Sequence, residues 1–212
     1  MITFLEEPHI YLVNGVITPS VSEILHFIFP DKYKGVDKKT LNKKAEYGTT
    51  IHESIEMYEI NIKTMGLSEA FDVTVQAKEL SYIQEASLRQ YLKLKKENEI
   101  KVIEQEQMIH YKDKYAGRFD MIAQVGSDMC LCDIKTTAEL DIEYLSWQLS
   151  LYEFAYGKKF DKLYAIWLPK KELGKLVEIK RKTESEILKL IEDYENDYPD
   201  EKRDREREVL GI

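Results

Sequence analysis

Three consecutive segments of alternating apolar and polar residues occupy the middle of the chain and constrain its fold more than any other feature. They cover 101–111, 115–125 and 129–135, and short turns at 112–114 and 126–128 separate them. A period of two is typical of half-buried strands, and turns this short join antiparallel neighbours. The sequence therefore predicts a three-stranded antiparallel meander.

Helical patterns and further short strands surround the meander. Upstream, Asn14-Gly15 predicts a hairpin turn, and Ser20 is the expected N-cap of a helix over 21–29. The other expected elements are helices over 38–61, 68–97, 142–156 and 183–197, a resumed helix to 209 beyond Pro199, and strands over 162–168 and 176–180. This order predicts an α/β (mixed α+β) fold, with a central mixed sheet flanked by helices.

Composition limits the class of protein. The 212 residues are 43% hydrophobic and 33% charged, which is typical of a soluble globular chain. Neither a twenty-residue apolar run nor a basic-then-apolar N-terminus is present, so we expect a cytoplasmic protein without a membrane partner. Cys130 and Cys132 alternate with leucine in a predicted strand and are expected to line the core.

The net charge of −8 argues against binding to nucleic acid, but the charge is unevenly distributed. Six lysines lie between Lys32 and Lys44, where Asp37 is the one acidic residue. This segment is a candidate phosphate-contacting patch. A solvated loop followed by a helix start explains it equally well.

The segment Asp133-Ile134-Lys135-Thr136 ends the third strand of the meander. Alternate residues of a strand share a face, so Asp133 and Lys135 point the same way. If Ser127-Asp128 forms the preceding two-residue loop, Asp120 lies opposite Lys135 on that face. Two carboxylates beside a lysine predict a site for one or two Mg²⁺ or Mn²⁺ ions, with Lys135 beside the attacking water. The alternative is two turn-capping aspartates with a solvated lysine.

Three further sets of residues could belong to this site. His52 lies one helical turn after Gly48, and Glu106 shares a strand face with Glu104. Gln148 and Tyr152 are i, i+4 neighbours that suit contact with a phosphodiester backbone. A lone helical histidine is more often structural, and the stripe around Gln148 and Tyr152 also fits an amphipathic helix packing on the sheet. His9, His26 and His110 are expected to be structural.

Four motifs occur in a fixed order: Gly48-x-x-x-His52, Gly117-Arg118-Phe119-Asp120, Asp133-Ile134-Lys135-Thr136 and Gln148-x-x-x-Tyr152. Together they resemble the RecB-like exonuclease branch of the PD-(D/E)XK nuclease superfamily. Tyr11-x-x-Asn14-Gly15 and the segment 19–25 resemble the start of phage and prophage members. The resemblance covers roughly residues 9–168.

The resemblance implies a restriction-endonuclease-like core and a Mg²⁺- or Mn²⁺-dependent deoxyribonuclease acting on DNA ends in recombination, repair or phage DNA processing. It implies His52, Asp120, Asp133 and the Ile134 backbone carbonyl as metal ligands, with Glu106 as a further candidate, and Lys135 as the catalytic lysine. Gln148 and Tyr152, with Arg118 and Thr136 from the same motifs, would bind substrate. The cysteines of iron–sulphur relatives are missing, so no iron–sulphur cluster is expected.

We interpret residues 1–212 as one nuclease domain, with an N-terminal hairpin and short helix (1–37), a catalytic core (38–182) and a C-terminal helical extension (183–212). A non-catalytic DNA- or partner-binding protein on the same scaffold is the alternative from another class. A structure-specific or restriction endonuclease is the enzymatic alternative. A homo-oligomer and a recombination partner protein both remain open.

Overall fold

The computed structural model describes residues 1–6 and 9–197. Within these residues it has six helices, a five-stranded mixed sheet and a three-stranded antiparallel sheet. In chain order the elements are β1 (Ile2–Leu5), β2 (Ile10–Val13), β3 (Val16–Thr18), α1 (Val21–Ile28), α2 (Lys38–Asn61), α3 (Leu67–Ala77), α4 (Tyr82–Glu97), β4 (Ile100–Tyr111), β5 (Tyr115–Val125), β6 (Asp128–Lys135), α5 (Ile142–Tyr156), β7 (Lys162–Trp167), β8 (Lys175–Ile179) and α6 (Glu184–Asp197).

The central sheet has the strand order β4-β5-β6-β7-β8. Its first three strands form the predicted antiparallel meander, which is confirmed. The β6–β7 pair is parallel, and α5 supplies the crossover that a parallel pair requires. The predicted mixed α/β class is therefore confirmed, and so are the predicted bounds of α2 and α5.

Two apolar layers cover opposite faces of the central sheet. One layer joins α1, α5 and α6 to alternate strand residues such as Leu131. The other joins α2, α3 and α4 to Cys130, Cys132 and Ile134, which point to the opposite face of β6. Both cysteines are fully buried, as predicted.

The N-terminal sheet packs against β5. Its β2–β3 hairpin turns at Asn14 and Gly15, both with positive φ as a type I′ turn requires, so the predicted hairpin is confirmed. Ser20 caps α1 in a capping box with Glu23, also as predicted. The Ala116 N–H donates to the Pro19 carbonyl at 2.9 Å. This contact places the start of α1 beside the Gly117-to-Asp120 motif. Strand β1 was not predicted.

The prediction of a single helix over 68–97 is wrong, because two helices, α3 and α4, occupy this range. Glu79 has a φ of +49° between them, which a continuing right-handed helix cannot contain. Ser81 then starts α4 in a capping box with Gln84. Helical spacing continues on both sides of the break, so the apolar pattern alone did not reveal it.

The predicted register of the β5–β6 hairpin is also wrong. The two turn residues are Gly126 and Ser127, and Val125 pairs with Asp128. Gly126 has a φ of +58° at the first turn position, as a type II′ turn requires. The observed pairing is displaced by two residues from the predicted one, so each side chain stays on its predicted face of the sheet. The residue of β6 that lies across from Asp120 is then Asp133 instead of Lys135.

Two predictions concern the ends and environment of the chain. Helix α6 confirms the helix expected over 183–197. The resumed helix to 209 and the second half of the predicted C-terminal extension, from 198 to 212, lie outside the described residues. Within the described residues, 1–6 and 9–197, no helix is both long enough and apolar enough to cross a bilayer.

Candidate functional site

Three potential metal ligands converge from three different elements. His52 extends from α2, Glu106 from β4 and Asp120 from β5, and one ligand atom of each lies within 4.8 Å of the others. The His52 Nδ1 and Asp120 Oδ1 atoms are 3.4 Å apart. All three side chains line an open cleft of about 510 Å³. An imidazole and two carboxylates are a donor set that fits a divalent cation, and the carboxylates suit Mg²⁺ or Mn²⁺.

Glu106 reaches this group because β4 is locally distorted. Its φ is +50°, and it lies between the Gln105–Met121 and Gln107–Phe119 pairs, opposite Asp120. A non-glycine residue in this conformation costs about 1–3 kcal/mol, and such strain concentrates at functional sites. Burial and the Asp120 charge raise the pKa of Glu106 to about 7, while Arg118, whose Nε lies 3.0 Å from Glu106 Oε2, opposes the shift.

The raised pKa of Glu106 predicts a pH-dependent stability of the metal-free protein. The folded state holds this proton more tightly than the unfolded chain, so stability should fall as pH rises from about 4.5 to about 7. The free energy of unfolding of Glu106→Gln should therefore fall less over this pH range than that of the wild type, by up to about 3 kcal/mol. Urea unfolding in EDTA at pH 5 and pH 8 tests this, with Glu104→Gln as the control on the same strand. An unchanged pH dependence in Glu106→Gln would contradict it.

Asp120 links the ligand group to the end of β6. The β5–β6 ladder stops at Met121–Cys132, and beyond it the Ile134 N–H donates to Asp120 Oδ2 at 2.6 Å. Burial opposes ionisation of Asp120, but His52, Lys135 and this N–H outweigh it and lower the pKa of Asp120. Burial likewise opposes the charge on His52, whereas Asp120 favours it, and the pKa of His52 is raised. Asp120 is therefore held as a carboxylate.

The buried Asp133 and the partly exposed Lys135 form an ion pair next to this group. Lys135 Nζ lies 2.5 Å from Asp133 Oδ2, and Asp133 is 2% exposed. Burial raises the pKa of Asp133 to about 6, although Lys135 opposes the shift. Burial disfavours the Lys135 charge, but Asp133 and Asp120 more than compensate, so the pKa of Lys135 is raised. Asp133 does not join the His52, Glu106 and Asp120 group, although the sequence predicted it as a ligand.

Of the predicted substrate-binding pair, Tyr152 lines the cleft and Gln148 lies beside it. Gln148 Nε2 donates to the Tyr152 hydroxyl at 3.4 Å, and Tyr152 is almost fully buried. The Gln148 Oε1 atom is buried without a hydrogen-bond partner among the described residues. The Tyr152 ring covers the backbone of Gly117, where an added Cβ would lie 2.8 Å from Tyr152 Cε1 and 3.1 Å from Val21 Cγ2.

This close approach predicts the effect of Gly117→Ala. The new methyl group would displace a rigid, buried ring, so we expect a loss of about 1–3 kcal/mol in the free energy of unfolding. A urea denaturation midpoint measures the loss. Gly66→Ala is the matched control, because an added Cβ there meets no atom within 4 Å. Equal stability of the two variants would show that the glycine is not required by Tyr152.

Of the remaining predicted site residues, only Arg118 is among the residues that line the cleft. Arg118 is paired with Glu106. Thr136 Oγ1 lies 3.5 Å from the position of a Cβ at Gly48, which is an ordinary contact, so Gly48 is not sterically required there. For Ile134, the contact to the site is made by its N–H group; the role of its carbonyl stays a prediction.

Sequence reasoning missed part of the cleft wall. His9, predicted as structural, lines the cleft together with Tyr11 from the N-terminal sheet. Packing between the two sheets brings them there, and no local pattern indicates it. Glu56 also lines the cleft, and its i+4 spacing from His52 was the available signal.

The lysine-rich segment divides into two parts. Lys32 pairs with Asp141, and Lys34 pairs with Asp31, so these two side chains are engaged by carboxylates. The other four lie on the first turns of α2 and are exposed; they are Lys38, Lys39, Lys43 and Lys44. Any phosphate-contacting part of the segment is therefore the helical one.

No protein-family model matches the chain, and no curated protein matches it. Among solved structures, the chain is similar to the crystal structure of SSO0001, with a TM-score of 0.35 and 19% sequence identity. The match covers 68% of this chain and 72% of that chain. A similarity at this level carries no argument about fold or function.

Proposed function

We propose that this protein is a metal-dependent DNA nuclease, an exonuclease that hydrolyses phosphodiester bonds at DNA ends. The observation that carries the proposal is the convergence of the His52, Glu106 and Asp120 ligand atoms within 4.8 Å, next to the Lys135–Asp133 pair. Metal ligands beside a partly exposed lysine at one end of a sheet suit hydrolysis of a phosphodiester. Recombination, repair or phage DNA processing are the settings proposed for this activity.

The topology supports membership of the RecB-like branch of the PD-(D/E)XK superfamily. An antiparallel meander, a crossover helix and a parallel fourth strand occur in this order. The motif residues lie at the end of the sheet where β5 and β6 separate. This arrangement supports a restriction-endonuclease-like core, which we propose for residues 38–182.

Each residue of the site has a proposed task. His52, Glu106 and Asp120 would hold the divalent cation, and Asp133 is the adjacent carboxylate. When bound, the cation would supply Lewis acidity and offset negative charge on the phosphate. Lys135 remains protonated beside Asp133, so it can donate to a phosphate oxygen or orient the attacking water.

The cleft wall would position the substrate. The Tyr152 hydroxyl stays protonated because burial raises its pKa, so it can donate to a phosphate oxygen. Gln148 supports that hydroxyl, and Arg118 supplies a positive charge at the edge of the cleft. These contacts favour a backbone ligand over recognition of a particular base.

A non-catalytic binding protein on the same scaffold is the second candidate. The observation that favours it is that Asp133 is paired with Lys135 and is not part of the ligand group. The net charge of −8 agrees with a protein partner more than with DNA. A structure-specific endonuclease would use the same residues, but unlike an exonuclease it would also cut closed circular DNA.

Calorimetric titration with Mn²⁺ separates the nuclease from the binding protein. We expect wild-type protein to bind Mn²⁺, and His52→Asn and Glu106→Gln to bind it at least tenfold more weakly. Glu104→Gln is the matched control on β4, because Glu104 is outside the ligand group. Absence of Mn²⁺ binding, or equal binding by all four proteins, would favour the second candidate.

A further inference from the structure

A lysine outside the predicted motifs lies at the same edge of the sheet as the candidate site. Lys170 follows β7, whose last residue, Trp167, pairs with Lys135 in the parallel β6–β7 ladder. The Leu168 N–H donates to the Lys135 carbonyl at 2.7 Å. Because parallel strands end at a common edge, the loop carrying Lys170 emerges beside the end of β6.

The Lys170 ammonium group is held in place. Its Nζ lies 3.4 Å from the centroid of the Tyr47 ring, within the range of a cation–π contact. The Tyr47 and Ser87 hydroxyl groups are hydrogen-bonded at 2.7 Å, which fixes the ring against α4. The following loop is also close to α4, because an added Cβ at Gly174 would lie 3.1 Å from Leu94 Cδ1. Lys170 is therefore positioned before any ligand binds.

Lys44 brings a second positive charge to this place. Lys44 precedes Tyr47, whose ring contacts the Lys170 ammonium group, by three residues on α2, so Lys44 and Tyr47 are neighbours on the helix surface. Burial and the Lys44 charge both lower the pKa of Lys170, in agreement with this placement. Both residues are exposed, and in the described part of the chain neither forms an ion pair with an aspartate or glutamate. Two neighbouring cations without a carboxylate repel one another, and a phosphate between them would remove that cost.

The distance from the candidate site fits a DNA strand. Lys44 and His52 are eight residues apart on α2, or about 12 Å along the helix axis. One strand of duplex DNA has a phosphate about every 3.4 Å of its axis, so 12 Å corresponds to about three or four nucleotides. Gly48, between them, contacts Thr136. Gly48 and His52 both line the cleft, so α2 leads from Lys44 into the candidate site.

The geometry points to a phosphate-binding subsite formed by Lys44 and Lys170, supported by Tyr47, that holds the substrate strand about three or four nucleotides from the bond to be cleaved. This inference rests on the proposed function, which supplies DNA as the ligand. The subsite would give this protein, whose net charge is −8, a local positively charged contact for DNA. It also separates Lys44 from the rest of the lysine-rich segment, because Lys170 defines the pair.

DNA binding measured without cleavage tests the subsite. Fluorescence anisotropy of a labelled duplex in EDTA, over a series of salt concentrations, would compare wild type with Lys44→Gln, Lys170→Gln and the double variant. We expect each substitution to reduce the slope of log affinity against log salt by about one, and the double variant to reduce it by about two. Lys63→Gln, with the same charge change beyond the far end of α2, should leave the slope unchanged.

A second substrate separates failure of the subsite from failure of the nuclease proposal. A nitrophenyl ester of thymidine monophosphate is too short to reach Lys44 and Lys170, so with Mn²⁺ the double variant should hydrolyse it at the wild-type rate. Wild-type salt dependence in the double variant would overturn the subsite, whatever the hydrolysis. A reduced slope without hydrolysis by any protein would support the subsite and overturn the nuclease.

Discussion

Asp120→Asn is expected to lower the rate of DNA cleavage by about 10³-fold or more, which corresponds to about 4 kcal/mol of transition-state stabilisation. Asp120 is the carboxylate of the ligand group that also touches His52 and accepts the Ile134 N–H. Asparagine keeps an oxygen for that N–H but loses the charge. The substitution should therefore remove the metal site while preserving the end of β6.

The rate of loss of end-labelled linear DNA with Mn²⁺ measures this effect. Asp128→Asn is the matched control, because Asp128 begins the neighbouring strand β6 and pairs with Lys162, far from the ligand group. Thermal unfolding of both variants separates loss of the site from loss of the fold. Cleavage by a folded Asp120→Asn protein within a few-fold of the wild-type rate would contradict the assignment.

Lys95→Met is expected to lower the free energy of unfolding by about 3 kcal/mol or more. Glu59, 2% exposed, accepts hydrogen bonds from the Tyr91 hydroxyl and from Lys95 Nζ, and these contacts join α2 to α4. Without Lys95, the buried Glu59 carboxylate keeps only the neutral Tyr91 hydroxyl as a partner. The effect is structural and should appear whether or not the protein is a nuclease.

Urea denaturation tests this expectation with two companion variants. Lys96→Met changes the same residue type at an exposed neighbouring position of α4 and should be nearly neutral. Glu59→Gln combined with Lys95→Met removes both charges, keeps an acceptor for Tyr91, and should recover part of the loss. A loss below about 1 kcal/mol in Lys95→Met would show that the pair is not an essential link.

Elements whose signal is local were predictable from the sequence. Periodicity and capping residues gave the meander and the bounds of α2 and α5, and Asn14-Gly15 gave the hairpin. The α3–α4 break was missed because it depends on one backbone conformation, at Glu79, inside a continuous apolar pattern. Local propensity is thus reliable only where no single residue departs from it.

The geometry of the site depended on tertiary structure. The β5–β6 register was displaced by two residues because the turn begins at Gly126, so the faces were right and the neighbours wrong. The position of Glu106 in the ligand group requires a positive φ in a strand, which composition does not indicate. Lys44 and Lys170 are far apart in sequence, and the fold alone brings Lys170 onto the Tyr47 ring, one helical turn from Lys44.

The most direct test of the proposed nuclease is cleavage of end-labelled linear DNA and of closed circular DNA, with Mg²⁺, with Mn²⁺ and with EDTA, by wild-type protein and by Lys135→Ala. The proposal predicts loss of linear DNA alone, only with a divalent metal ion, and no loss with Lys135→Ala. Cutting of circles would replace the exonuclease with an endonuclease that uses the same residues. A folded wild-type protein that cleaves neither DNA with either metal ion would contradict the proposal.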